Sequence, residues 1–318
     1  GRYYIDPDEE VVRLMEEKKR SADEHQRQLE AYRGKESVTR GGQKVKLFAN
    51  IGNPSDVEHV LKGDAEGVGL LRSEFLYLGR DSYPTEDELY NAYRKVVEGL
   101  QGRRVVIRTL DIGADKQADY FQLDKEENPA LGLRGIRNSL RQPHQFETQL
   151  CALLRAAARG PLRVMFPMVT DVEDWDAAMH IVEHCRQSLR ERGVPFNEKT
   201  PFGVMLSVPS ACLTAEEFVA HGCDFLVIGT NDLTQYTHAA DRELASAERY
   251  YRPASPAMKK LIAMVLEAAK AGNVPVTICG LAVGNPVNTV QYLQMGLRSF
   301  SVSPQNLLNV NRTSKNGQ

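Results

Sequence analysis

Residues 202–229, FGVMLSVPSACLTAEEFVAHGCDFLVIG, contain a continuous apolar run (FGVML, 202–206), a helical stretch (SACLTAEEFVAHG, 210–222) and a second apolar run (FLVIG, 225–229). A strand that is apolar throughout is buried on both faces, and two such strands joined by a helix read as a parallel βαβ unit. Working outward, the same short runs recur as VKLFANI (45–51), GVGLL (67–71), RVVIRT (104–109), RVMFPM (163–168), VTICG (276–280) and SFSVS (299–303). Helical segments such as 85–100, 171–192 and 255–272 lie between them. Eight candidate strands alternating with helices predict an α/β fold, a closed (β/α)8 TIM-type barrel over 44–318. Residues 1–43 are expected to form a linker helix and its connection. Asp6 is available as N-cap, Pro7 as the first helical residue and Gly34 as the stop of a helix over 6–33. Its sparse apolar positions suit a solvated connecting helix or a helix capping the barrel. The segment 110–162 exceeds a simple connection and is expected to form an elaborated loop over one barrel end, with a helix near 143–158. After residue 304 the chain reads as too short and polar for a full eighth helix, which would leave the barrel apparently truncated there.

Composition narrows the function. Over 318 residues, 40 Lys+Arg against 42 Asp+Glu leave a net charge of −2, so no global charge draws the chain to nucleic acid or an anionic membrane. The 42% of hydrophobic residues suit a globular chain, and no apolar run reaches the roughly 18 residues of a membrane span. The five cysteines, Cys151, Cys185, Cys212, Cys223 and Cys279, are scattered without a CxxC pair. With no secretory signal pattern at the N-terminus, this points to a reducing cytoplasm, and to neither a disulfide framework nor a zinc cluster.

In such a barrel chemistry collects where the strands end at their C-terminal side. Arg72 ends the second run and Arg108 the third. Arg134 and Arg137 lie in the long loop, and Arg242 follows the sixth run. Guanidinium forks from several strand ends suit one small anion, because each donates two parallel hydrogen bonds and stays charged. The inferred ligand is a small phosphorylated acid. Asp232 either ligates a magnesium ion or, with Asn231, caps the following helix. Cys279 is either a proton donor or a plain buried thiol. His180 and His184, spaced i,i+4 on a charged helix, read as surface residues, and no glycine cluster matches a P-loop or dinucleotide fingerprint.

The motifs GVGLLRSEFLYLGRD (67–81), VVIRTLDIGADK (105–116), ENPALGLRGIR (127–137), RVMFPMV (163–169) and FVAHGCDFLVIGTNDLTQYTHAADR (218–242), with the spacing to ICG (278–280), carry a family resemblance. From about residue 3 to 304 the chain resembles the C-terminal half of enzyme I of the bacterial phosphotransferase system, the phosphoenolpyruvate-protein phosphotransferases. GTNDLTQYT (229–237) is its most specific part. The resemblance implies a barrel that binds phosphoenolpyruvate and Mg2+, yields pyruvate and forms a homodimer. It also implies a separate N-terminal domain whose phosphorylated histidine serves an HPr-like carrier. By motif, Arg72, Arg108 and Arg242 would hold the phosphate or carboxylate, Arg134 and Lys116 would close over the phosphate, and Asn231 would touch the ligand. Asp232 would bind the metal, and Cys279 would protonate the enolate carbon.

Two positions depart from the family pattern. Ser207 stands where the family has a metal-ligating glutamate, and Leu281 where it has a carboxylate beside the cysteine. The histidine motif is absent from these residues. The leading expectation is therefore the phosphoenolpyruvate-binding domain of an enzyme I-like transferase of sugar transport, with phosphate passing to a histidine on another domain. The alternative is a catalytically degenerate regulatory or dimerisation module that retains anion binding without the metal site. A related dikinase-type enzyme is disfavoured by the GTNDLTQYT context and the linker helix.

Overall fold

The protein is described by a computed structural model covering residues 4–113, 119–121 and 123–316. Eight strands, β1 (Lys46–Ile51), β2 (Gly67–Arg72), β3 (Arg104–Arg108), β4 (Leu162–Phe166), β5 (Phe202–Leu206), β6 (Phe225–Gly229), β7 (Val276–Cys279) and β8 (Ser299–Val302), form a closed barrel in chain order. Every neighbouring pair is parallel, and β8 closes on β1 with Leu47 opposite Phe300 and Ala49 opposite Val302. Each strand lies within a residue or so of its apolar run because such a run buries both faces only when helices cover the sheet.

Strand alternation separates two cores. Outward residues such as Val105, Val164, Val204, Leu226 and Ile278 pack beneath the helices in one continuous cluster. Inward residues Leu70, Val106, Met165, Met205, Phe225, Val227 and Cys279 fill the lumen. The barrel axis is therefore packed with side chains, and polar groups are left to its two ends.

The N-terminal helix runs Glu9–Glu30, shorter than expected, and its cap is Asp8 and not Asp6. The Asp8 carboxylate accepts the Val11 amide at 2.8 Å, whereas Asp6 has φ 46°, so Pro7 lies outside the helix. Leu29 is its one buried residue, which fits the solvated reading. The end of the chain also differs from expectation: Leu307–Asn316 forms a ten-residue helix. Leu307, Leu308 and Val310 supply its buried face, and its polar residues bond locally, Thr313 Oγ1 to the Asn309 carbonyl and Ser314 Oγ to that of Asn311, both 2.8 Å. Asn311 Nδ2 reaches the Lys35 carbonyl at 2.9 Å, tying this helix to the N-terminal connection. The long loop carries helices Ile136–Arg141 and Pro143–Ala156. Among the described residues no helix is long and apolar enough to cross a membrane.

Candidate active site

A cavity of about 290 Å³ opens at the C-terminal ends of the strands, lined in part by Arg72, Arg108, Arg134, Asn231, Asp232, Arg242 and Cys279. The ends of β2, β3 and β7, the helix after β6 and the loops deliver these groups. Arg108 continues the line of Val106 on β3, and Arg72 that of Leu70 on β2. Asp232 sits in the first turn of the helix Thr230–His238 that follows β6. Arg134 comes from the long loop. It is followed by Gly135 at φ 62°, where a Cβ would lie 2.9 Å from that of Met168, so this left-handed turn suits glycine on both counts.

The four arginines are not equivalent. Arg134 lies between two carboxylates, giving Nε to Asp111 Oδ1 at 2.9 Å and Nη2 to Asp111 Oδ2 at 3.0 Å. Its Nη1 and Nη2 also reach Asp232 Oδ1 and Oδ2 at 3.0 and 3.1 Å. Burial opposes its charge, but Asp111 and Asp232 outweigh burial and raise its pKa. Arg108, 8% exposed, reaches Glu74 Oε1 at 2.7 Å and Asp111 Oδ2 at 2.6 Å, and the same carboxylates outweigh its desolvation. Arg242 touches Asp232 Oδ1 at 3.2 Å. Arg72 is exposed and, among the described residues, makes no hydrogen bond or ion pair, which leaves its whole fork available to a ligand. Glu74 Oε2 and Arg108 Nε are buried without a hydrogen-bond partner among the described residues.

Cys279 ends β7 inside the cavity and is 3% exposed. Burial pushes its thiol up to about 11, and Arg108 and Arg72 pull it back only in part. It is therefore a protonated thiol at neutral pH, the form a proton donor needs. Gly280 follows at φ 124°, where a Cβ would meet Thr230 Oγ1 at 2.1 Å, so only glycine lets the chain turn so close to the start of the next helix. Thr230 Oγ1 bonds the Cys279 carbonyl at 2.8 Å, and Asn231 Oδ1 accepts the Leu281 amide at 2.9 Å. Gly229 is the N-cap of this helix and takes no side-chain cap bond, so Asn231 and Asp232 lie in its first turn, facing the cavity, and do not cap it.

Lys116 lies outside the described residues. Arg137 does not join the cluster: it bonds the Leu131 and Gly132 carbonyls at 3.2 Å each and Thr170 Oγ1 at 3.3 Å, facing a neighbouring cavity. Leu281 is 83% exposed at the rim. Sequence reasoning assigned no role to Glu74 and Asp111, the acids that organise the arginines. Their signal was position, immediately downstream of the strand-ending Arg72 and Arg108. His184 meets Glu147 on the exposed helix surface at 3.2 Å, in line with its surface reading.

The fit of a magnesium ion is tested by the donors present. Asp232 is the one carboxylate at the expected position, and both of its oxygens are engaged by guanidiniums. The Ser207 hydroxyl is buried and directed to Met168 Sδ at 3.8 Å. Among the described residues no group of three or more His, Cys, Asp or Glu is placed to hold a metal. Mg2+ is held by carboxylates with waters and substrate oxygens, so this donor set does not fit a built Mg2+ site.

The chain is 42% identical over 312 residues to the phosphoenolpyruvate-protein phosphotransferase of Staphylococcus carnosus (strain TM300), a match covering 98% of this chain and 54% of that protein. It is also 42% identical over 308 residues to the phosphoenolpyruvate-protein phosphotransferase of Bacillus subtilis (strain 168), covering 97% and 54%. The chain thus spans about half the length of the curated relatives it matches. The crystal structure of a citrate lyase from Burkholderia xenovorans LB400 superposes with a TM-score of 0.55 at 15% identity, over 85% of this chain and 76% of that one, a likeness of fold alone. Residues 26–318 match the family described as PEP-utilising enzyme, PEP-binding domain, and the chain belongs to that family.

Proposed function

We propose that the mouth binds phosphoenolpyruvate and that the chain is the substrate-binding part of an enzyme I-type phosphotransferase. The observation that carries this reading is Arg72, a guanidinium without a partner among the described residues, beside three further arginines and a protonated thiol in one cavity. In the proposed reaction the bond between phosphorus and the enol oxygen breaks, and the phosphoryl group passes to a histidine nitrogen on another domain. The enolate left behind takes the Cys279 proton at its terminal carbon and becomes pyruvate. Arg72, Arg108 and Arg242 neutralise the charge on phosphate and carboxylate, and Arg134 closes from the loop. Phosphoryl transfer depends mainly on such positioning and charge neutralisation.

The proposal extends to a histidine-bearing domain, an HPr-like carrier, a homodimer and cytoplasmic residence, which the family resemblance implies. Magnesium has no part in the proposed step, since the Asp232 oxygens are held by guanidiniums and Ser207 supplies no anionic ligand. Calorimetric titration of phosphoenolpyruvate, with and without Mg2+, tests the reading. Binding by the chain is expected, falling about ten-fold or more in Arg72→Ala, the effect of one lost charge-assisted contact. Ser207→Glu is expected to make the binding clearly Mg2+-dependent. Absence of binding by the chain under both conditions would turn the reading toward the regulatory module.

A further inference from the structure

The opposite end of the barrel carries a second concentration of positive charge. Arg104 opens β3 and Arg163 is the second residue of β4. Both share the inward face of their strands, Arg104 in line with Val106 and Arg163 in line with Met165, the two lumen residues above them. Aromatic rings at this level support them: Arg104 Cζ lies 4.0 Å from the Phe48 ring centroid, and Arg163 Cζ lies 5.5 Å from that of Phe225. Lys46, at the start of β1 and two residues before Phe48, adds a third cation at this end.

None of the three makes an ion pair among the described residues, and neither arginine makes a hydrogen bond there. Arg104 Nε is buried without a hydrogen-bond partner among the described residues. The nearest acids do not resolve this. Glu66 acts on Arg104 only through its field, and Asp224, the counter-charge nearest Arg163, gives an oxygen to the Phe202 amide at 2.8 Å. Burial, and after it the charge of Arg163, pushes Arg104 down to about 10, and burial lowers Arg163 as well. Two half-buried like charges without a protein hydrogen bond repel each other, and an anion between them would relieve that repulsion. A pair of hydroxyls, Thr277 Oγ1 and Ser299 Oγ at 2.8 Å, lines the same end on β7 and β8.

We propose that the N-terminal mouth of the barrel is a second anion site, taking a small phosphate-class dianion between Arg104 and Arg163. Two guanidiniums from adjacent strands present forks to one tetrahedral group, and a dianion neutralises both. The N-terminal face of such barrels governs stability more than chemistry, so the bound anion acts as a structural clamp on β3 and β4. The site does not rest on the function proposed for the other mouth.

The test is the melting temperature of the chain against inorganic phosphate at constant ionic strength, with Arg72→Ala as background to suppress the C-terminal mouth. Phosphate is expected to raise the melting temperature saturably in that background, and acetate to raise it far less. Arg163→Gln is expected to weaken the response about ten-fold or more, the loss of a charge-assisted contact, and to raise the melting temperature without phosphate by removing the repulsion. Arg104→Lys, which keeps charge but loses the fork, is expected to weaken the response too and serves as a second variant. A phosphate response absent in the Arg72→Ala background, or equally strong in both further variants, overturns the site. An equal response to acetate overturns its phosphate character.

Discussion

At the scale of single residues, the cavity sets Cys279 apart from an ordinary thiol by removing water from around it. The folded pKa of about 11 lies above the unfolded value near 9, so burial of the protonated thiol contributes stability fully present below pH 9 and lost as pH rises through 11. The same shift keeps the proton available across the neutral range. Cys279→Ser is expected to leave phosphoenolpyruvate affinity within a few-fold and to slow solvent-deuterium entry into the methyl group of pyruvate by about 100-fold, the scale of a lost general acid. Unchanged exchange would assign the proton transfer elsewhere. Arg72 marks the other extreme, a cation that makes no hydrogen bond or ion pair among the described residues.

At the scale of elements, the helix Pro143–Ala156 positions the mouth from outside the barrel. Its buried Gln149 accepts the Leu110 amide at 3.0 Å and donates to Ser73 Oγ at 3.2 Å and to the Tyr93 hydroxyl at 2.9 Å. One side chain thus ties together the segments after β2 and β3 that carry Glu74 and Asp111. Gln149→Leu leaves the Leu110 amide unpaired, and a loss of about 1–3 kcal/mol is expected in urea unfolding, with weaker phosphoenolpyruvate binding alongside. Stability lost with binding intact would make Gln149 a packing residue only. The helix was legible in the sequence, which predicts one near 143–158. Its tether was not, because a glutamine at a helical position carries no mark of which loops lie above it.

At the scale of the whole molecule, the closed sheet gives the axis three zones: a charged C-terminal mouth, an apolar middle and a basic N-terminal end. Asp111, 3% exposed, holds the first zone together, since Arg108 of β3 and Arg134 of the loop both rest on it and Arg134 passes the connection to Asp232 beyond β6. Removing one partner of a buried ion network strands the others, so Asp111→Asn is expected to destabilise by about 3 kcal/mol or more in chemical unfolding with an unchanged m-value. A change below about 0.5 kcal/mol, the range of ordinary surface substitutions, would mean that the network adds nothing to stability.

The strands, their parallel order and the end of the barrel at which the expected polar side chains gather were written in local pattern. Continuous apolar runs spaced by helices admit few arrangements, because each run must be covered on both faces. Arg72, Arg108, Asp232 and Cys279 were likewise readable, since they stand where such runs end. Tertiary structure alone decided the pairings: Glu74 with Arg108, Asp111 and Asp232 with Arg134, and, among the described residues, no ion pair for Arg104 or Arg163. Those partners lie far apart along the chain or on different strands, and barrel closure and strand stagger determine which side chains meet. Side-chain type determined what each group could do, and geometry determined which of them were left free to do it.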